Sequence, residues 1–160
     1  MPTGLFYKFK KTKNMKPASK KNIMLIAFIT IAGISANAQK LNASKVPEIV
    51  KASFAKQYPG VNAAWEKEGG KYEAGFKKNN TAMSILFEPN GTMTESEISI
   101  KISDLPVAAL AYVNEHYKGK TIKEGAKITK ADGTINFEAE VNGNDVIFDA
   151  RGNFLKVTKD

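Results

Sequence analysis

Cysteine is absent from this sequence of 160 residues, and tryptophan and histidine occur once each, as Trp65 and His116. The absence of cysteine excludes disulfide bonds, thiol nucleophiles, redox exchange and cysteine-ligated metals. A zinc site would have to be built almost entirely from carboxylates, which zinc sites rarely use. We therefore expect no metal and no other cofactor, and we expect His116 to be a polar residue on a helix surface.

Sequence patterns typical of enzymes are also absent. The chain has no G-x-S-x-G elbow, no glycine-rich phosphate loop and no dinucleotide-binding motif. The segment Asn142-Gly143-Asn144-Asp145 lacks the spacing of an EF-hand loop and is typical of a hairpin turn. The acidic pairs Glu95/Glu97 and Glu138/Glu140 are spaced two residues apart, which places each pair on one face of a strand. Such pairs on single strands indicate a solvated face and not a catalytic dyad, and we expect a protein that is not an enzyme.

The N-terminal segment, residues 1–38, has the composition of a secretory signal peptide. Seven lysines precede an apolar run at residues 23–34, and the small-residue site Ala36-Asn37-Ala38 follows it. The run is too short to span a bilayer, which takes roughly 20 apolar residues. We therefore expect cleavage between Ala38 and Gln39, no stable membrane insertion afterwards, and a periplasmic or secreted product.

The positive charge of the chain belongs largely to this leader. The sequence has 24 basic and 16 acidic residues, a formal net charge of +8. Removal of the seven leader lysines leaves 17 basic residues against 16 acidic residues, so the mature chain is close to neutral. The basicity is therefore an export signal and not evidence for nucleic-acid binding. Export of a chain without cysteine favours a bacterial envelope or secreted protein.

One sequence pattern occurs twice. Val46-Pro47, Tyr58 and Gly60 return 59 positions later as Leu105-Pro106, Tyr117 and Gly119. A repeat of this length predicts one supersecondary unit used twice, and we assign residues 39–102 and 103–160 to its two copies. A single unit of that size would be marginally stable alone, so we expect the halves to share one core or one sheet.

Each copy is predicted to be one helix followed by about four antiparallel strands, an α+β fold with the helices packed on one face of the sheet. Ser44 and Ser103 are the expected helix N-caps, and residues 39–43 are expected to be a frayed lead-in. The predicted strands cover residues 63–67, 71–77, 82–87, 92–100, 122–130, 135–141, 145–148 and 153–157.

The sheet face that the helices leave open is the candidate binding surface. Tyr72, Ala74 and Phe76 alternate with polar residues and are expected on the buried face, and Trp65 is expected in the core. The opposite face then presents the candidate partner-binding residues, which are Lys71, Glu73, Gly75, Leu86, Asn136, Glu138 and Glu140. Mixed charge with scattered apolar groups is typical of a protein-binding surface, and a plain solvated sheet has much the same composition.

A series of motifs runs through the first copy: Val46-Pro47, Phe54, Tyr58-Pro59-Gly60, Trp65, Tyr72-Glu73-Ala74 with Phe76, and Phe87 with Gly91. Their order resembles the PepSY-like, β-lactamase-inhibitor-like family of secreted Bacteroidetes proteins, and the resemblance covers residues 41–158 in two copies. The second copy departs from the pattern at Lys118, Glu124 and Phe137, which replace proline, tryptophan and tyrosine. No site is therefore assumed to occur twice.

The resemblance implies a curved sheet that presents its open face to an enzyme, and kinship with domains that inhibit peptidases. It implies no catalytic residues for this chain. We therefore expect a non-enzymatic secreted or periplasmic binding protein that inhibits or modulates an envelope peptidase or other hydrolase through the open sheet face. Its partner would be another envelope or secreted protein. The alternative is a carrier that binds a small ligand in a cleft between the two copies.

Overall fold

The computed structural model describes residues 39–159 of the chain. The predicted signal peptide, residues 1–38, lies outside the described residues, and so does Ala38 at the predicted cleavage site. Across residues 39–159, no helix is both long enough and apolar enough to cross a membrane.

Residues 39–159 form nine strands and two α-helices, which confirms the predicted α+β class. The strands are β1 (Gln39–Leu41), β2 (Ala64–Glu68), β3 (Lys71–Lys78), β4 (Thr81–Phe87), β5 (Met93–Ile100), β6 (Ile122–Lys130), β7 (Ile135–Val141), β8 (Asn144–Asp149) and β9 (Phe154–Lys159). Helix α1 (Glu48–Gln57) lies between β1 and β2 in the sequence, and helix α2 (Val107–His116) lies between β5 and β6. The strands form one sheet in chain order, and every neighbouring pair is antiparallel.

Strand β1 corrects the prediction of a frayed lead-in. Lys40 pairs with Glu66 and Leu41 pairs with Trp65, so β1 is the edge strand beside β2. The side chain of Leu41 also packs against the core beneath α1. A three-residue strand shows too few alternations to be recognised from its sequence, because its conformation depends on the backbone hydrogen bonds that β2 provides.

The helix starts differ from the predicted serine caps. Ser44 lies inside a 3₁₀ turn (Ala43–Lys45), where its backbone N–H donates to Oδ1 of Asn42 at 2.9 Å. Ser103 lies in the matching turn before α2, and Pro47 and Pro106 occupy the two N-cap positions. Proline disfavours the helical conformation in the residue before it, so neither helix can extend back to its serine.

Both helices pack on the same face of the sheet, as predicted, but against separate apolar clusters. The first cluster contains Val46, Val50, Phe54, Trp65, Ala74, Phe76, Ile85 and Phe87. The second contains Leu105, Ala109, Val113, Ala139, Val141, Val146 and Phe148. The burial of Trp65 in the first cluster confirms its predicted place in the core.

The two halves are joined through the sheet. Strand β5 pairs with β6 over six residue pairs, from Glu95 opposite Lys130 to Ile100 opposite Gly125. Of the two predicted ways of joining the halves, a shared sheet is therefore the one observed. The sheet face opposite the helices runs without a break from β2 to β9.

Candidate functional site: an acidic sheet face

The predicted binding residues lie on one face of the sheet, opposite the helices. Lys71, Glu73 and Gly75 alternate along β3 with residues that pack beneath α1, and Glu73 pairs with Leu86 of β4. Asn136, Glu138 and Glu140 alternate in the same way along β7. One register path, Gly75–Ser84–Glu97–Ile128–Asn136, connects the two groups across five strands.

The same face gathers nine acidic side chains of the described residues, and we call this surface the acidic face. Its members are Glu66, Glu68, Glu73, Glu95, Glu97, Glu124, Glu138, Glu140 and Asp145. Asp149 also ends a strand on this side, but its carboxylate accepts hydrogen bonds from the backbone N–H groups of Arg151 and Asn153 in a turn. Nine of the 16 acidic residues of the sequence therefore share one surface of a nearly neutral mature chain.

Sequence reasoning named only part of this surface. Six of the nine acids were not among the candidates, although they fall at alternate positions of their strands: Glu66, Glu68, Glu95, Glu97, Glu124 and Asp145. The period-two alternation around Trp65 indicated that Glu66 lies on the face opposite the core. The sequence did not contain the strand register, which brings these residues beside Glu73 and Glu140.

Burial of the acidic face is the main departure from the sequence analysis. The pairs Glu95/Glu97 and Glu138/Glu140 were expected on a solvated surface, and this expectation was wrong for all but Glu95, which is half-buried. Glu97 and Glu138 are only 7% and 1% exposed. The predicted binding residues are buried as well, except Lys71, which is half-buried.

The sheet is curled, which explains how an uncovered face can be buried. Burial and the charges of Glu95 and Glu66 raise the pKa of Glu68 on β2, and the charge of Lys156 on β9 opposes part of this rise. Yet β2 and β9 are seven positions apart in the sheet. In a flat sheet seven strand spacings would separate them by about 34 Å. Charges act on one another mainly within a Debye length of about 10 Å, so the two edges must curve toward each other and make the acidic face concave.

Several cross-strand neighbours on the acidic face carry like charges. Glu66 lies directly opposite Glu73, and Glu140 lies between Glu124 and Asp145. Directly opposed like charges destabilise a sheet. Lysines offset part of this repulsion, since Lys40 lies opposite Glu66, and Nζ of Lys123 contacts Oε1 of Glu140 at 2.9 Å.

The electrostatics of the acidic face favour the neutral form of several carboxyl groups. Burial raises the pKa of Glu73 to about 7, against an opposing hydrogen bond from Ser84, and the charges of Glu68 and Glu66 raise it further. Burial is also the largest cause that raises the pKa of Glu97 well above its ordinary value. The nearby charges that add to this rise belong to Glu73, Asp145, Glu95 and Glu124. Glu97 is thus the residue on which the acidic residues of both halves act.

Three carboxylate oxygens on this face have no hydrogen-bond partner within residues 39–159. They are the Oε2 atoms of Glu73, Glu95 and Glu97, and all three are buried. Buried polar atoms in folded proteins are almost always hydrogen-bonded, so each such atom calls for an explanation. These three oxygens are buried acceptors that no donor of the described residues satisfies.

Within residues 39–159 no group of three or more acidic or histidine side chains is arranged to hold a metal ion. His116 lies on the exposed end of α2, where its ring contacts the ring of Tyr112 with centroids 4.1 Å apart.

Comparison with known proteins identifies the fold. The family model described as "Putative beta-lactamase-inhibitor-like, PepSY-like" matches residues 33–93 and 70–156. No curated protein matches the chain.

Solved structures of Bacteroides proteins share this fold. A putative periplasmic protein from Bacteroides eggerthii has 15% identity and a TM-score of 0.62, with 71% of this chain and 88% of that chain covered. A DUF2874 family protein from Bacteroides uniformis has 17% identity and a TM-score of 0.61, with the same coverage. A BLIP-like protein from Bacteroides fragilis has 21% identity and a TM-score of 0.55, with 71% and 86% covered. At these identities the likeness concerns the fold.

Proposed function

The chain belongs to the PepSY-like, β-lactamase-inhibitor-like family, and we propose that it is a non-enzymatic binding protein whose acidic face engages another envelope or secreted protein. The observation that carries this proposal is the gathering of nine acidic side chains, three of them with an unpartnered buried oxygen, on one concave surface. A concave sheet surface accommodates a projecting loop of a partner, and charge complementarity gives such contacts their specificity.

The proposed class of partner is an envelope peptidase or another hydrolase, which the protein would inhibit or modulate. The family description and the name of the BLIP-like protein from Bacteroides fragilis support this class. The face is continuous across both halves, so it offers one extended surface to an enzyme loop.

The proposed location is the periplasm or the secreted fraction. The lysine-rich segment, the short apolar run and the Ala36-Asn37-Ala38 site support export. The name of the Bacteroides eggerthii protein, which shares the fold, agrees with this location.

The two-copy organisation is also part of the proposal. The family model matches the chain in two overlapping segments, and each helix is followed by four strands. Both observations support residues 39–102 and 103–160 as copies of one unit.

Site-specific photocross-linking tests the proposed surface. Ala82 lies on β4 at the half-buried rim of the acidic face, and Ala55 lies exposed on α1. Benzoylphenylalanine at position 82 should capture a hydrolase in the living cell, and the same residue at position 55 should not. Mass spectrometry of the adduct would identify the enzyme.

The captured enzyme then tests inhibition separately from binding. Its activity should fall as the purified protein is added in stoichiometric amounts. Equal cross-linking from positions 82 and 55 would remove the acidic face as the binding surface. Capture without loss of activity would keep the binding role and exclude inhibition.

A small-ligand carrier is the second candidate, and the helical side of the sheet supplies its supporting observation. Between the two apolar clusters, a strip of half-buried residues on β5 and β6 belongs to neither cluster. It includes Ser96, Ile98, Lys127 and Thr129. Native mass spectrometry of the protein from its source would show a retained small molecule if this strip forms a ligand cleft.

A further inference from the structure

The unpartnered oxygens of the acidic face indicate which chemistry a ligand must supply. Oε2 of Glu73, Glu95 and Glu97 is buried without a donor, and each of these atoms can accept a hydrogen bond. An unsatisfied buried acceptor is costly, and ionisation of a buried carboxyl group without a cationic partner is more costly still. A ligand that brings donors and positive charge together removes both costs.

The charge of the surface favours a cation over a neutral donor. Nine acidic side chains of the described residues share the acidic face, and six lysines lie on it or reach it: Lys40, Lys71, Lys77, Lys123, Lys130 and Lys156. The face is therefore acidic overall. Some of these lysines already have partners, since Lys123 contacts Glu140 and Lys71 contacts Oε1 of Glu88 at 3.1 Å. Glu97, near the centre of the face, lies opposite Ser84 and Ile128 and has no lysine beside it in the register.

The distribution of the carboxylates favours a cationic side chain over a metal ion as the bound ligand. A metal ion needs several ligands that converge on one point, and residues 39–159 hold no such group. The unpartnered oxygens lie on two strands, β3 and β5, which are separated by β4. A guanidinium presents five N–H donors in a planar fork, so it can serve two carboxylates at once.

Access to the buried carboxylates is available at half-buried positions of the acidic face. Glu95, Glu124 and Ser84 are half-buried, so solvent reaches this side of the sheet at their positions. Glu95 and Ser84 are also close to Glu97, since Glu95 is two residues along the same strand and Ser84 is its cross-strand partner. A long, flexible side chain that enters here reaches Glu97 without the backbone of the partner entering the curled sheet.

We propose that the acidic face binds an arginine side chain carried by a loop of the partner protein, with Glu97 at the centre of the contact and Glu73 and Glu95 beside it. This inference rests on the proposed function, because it names the chemistry of the partner at the same surface. The ion pairs form in a partly desolvated site, where charge-assisted and bidentate hydrogen bonds are strongest.

Titration with two model peptides tests the inference on the protein purified from cells that express the full chain. The probe is Gly-Gly-Arg-Gly-Gly, and the control is the same peptide with neutral, nearly isosteric citrulline in place of arginine. Amide chemical shifts should change on β3, β4 and β5 with the arginine peptide, with a Kd on the order of 1 mM. The citrulline peptide should leave the same amides unchanged.

Matched variants then assign the contact to Glu97. Glu97→Gln keeps the shape of the side chain and should weaken binding of the arginine peptide by about tenfold or more. Glu115→Gln makes the same charge change on the exposed side of α2 and should alter Kd by less than about twofold. A thermal melt of each variant confirms that it is folded.

Each contrary result has a definite meaning. Equal binding of the two peptides, equal effects of the two substitutions, or shift changes confined to the helical side would overturn the arginine site. If the cross-link from position 82 captures an enzyme while the arginine peptide causes no shift changes, the proposed function stands and this inference fails. If the peptide binds through Glu97 while no protein is captured, the cation site stands and the role in binding a protein partner fails.

Discussion

At the scale of single residues, Glu73 illustrates the buried, like-charged surroundings of a carboxyl group on the acidic face. Its side chain is 3% exposed and lies between Glu66 on β2 and Leu86 on β4. The surrounding titratable and polar groups are Glu66 and Glu68 from β2, Ser84 from β4 and Glu97 from β5. Because burial and like charges both oppose ionisation, this residue couples the protonation state of the face to folding.

The stability of the protein should therefore fall as the pH rises from the pKa of Glu73 in the unfolded chain to its pKa in the folded protein. The pKa of this group is about 7 in the folded state and 4.5 ordinarily. Between these two pH values the folded protein retains a proton that the unfolded chain has released. The stabilising contribution of Glu73 is therefore fully present below about pH 4.5 and is lost as the pH rises to about 7. The loss from Glu73 alone is about 3 kcal/mol, at 1.36 kcal/mol for each pKa unit.

Urea unfolding at several pH values measures this loss. Glu73→Gln removes the titrating group, so the free energy of unfolding should decline less with pH in this variant than in the parent protein. Glu115→Gln, on the exposed side of α2, should keep the pH dependence of the parent. Parallel pH curves for the parent and Glu73→Gln would contradict the burial of an ionisable group at this position.

At the scale of elements, the hairpin loops are fitted closely against the helices. Gly152 lies in the turn between β8 and β9, and a Cβ atom there would come within 2.8 Å of the backbone N of Ala109 on α2. Gly91 has the matching place beneath α1, with Oγ of Ser53 at 2.8 Å from its ideal Cβ position. Each loop thus packs against a helix, and this contact requires a residue without a side chain.

Substitution of Gly152 should cost more than substitution of a glycine in an open turn. Gly152 and Gly143 both have positive φ, at 87° and 73°, but an added Cβ at Gly143 meets nothing within 4 Å. Gly143→Ala should cost about 1–2 kcal/mol from backbone strain alone. Gly152→Ala should add about 1–3 kcal/mol of steric overpacking. Urea unfolding measures the free energy of unfolding of both variants, and the difference between their losses reports the contact of Gly152 with α2. Equal losses would show that the loop between β8 and β9 can move away from the helix.

Elements were predictable where the local pattern was long. The alternation of Tyr72, Ala74 and Phe76 predicted β3 and its buried face, and the spacing of Val50 and Phe54 predicted the buried side of α1. Strand β1 was missed because three residues carry no pattern of their own. The serine caps were wrong because the proline at each helix start fixes the preceding residue in an extended conformation.

At the scale of the whole molecule, one sheet joins two separate apolar clusters. The pairing of β5 with β6 is the central connection between the halves of the sheet. Each cluster is small, and small cores alone are marginally stable. We therefore expect the halves to unfold together.

Fluorine NMR of protein labelled with fluorotyrosine measures this cooperativity. Tyr58 and Tyr72 pack on the first cluster, and Tyr112 and Tyr117 pack on the second. All four should report the same urea midpoint. Val113→Ala in the second cluster should cost about 2 kcal/mol and lower the midpoint equally at all four tyrosines. A midpoint that moves only at Tyr112 and Tyr117 would show that the halves unfold independently.

The amino-acid sequence by itself determined the absence of thiol chemistry, the order of most elements and the face on which each residue of a strand lies. These properties follow from composition or from the period-two and helical geometry of a few neighbouring residues. Only the tertiary structure decided that Glu97 and Glu138 are buried and that Glu66, Glu124 and Asp145 join them. Burial on this face depends on the curl of a nine-stranded sheet over residues 39–159. That curl is the sum of small twists between many strand pairs, and no single segment of the sequence encodes it.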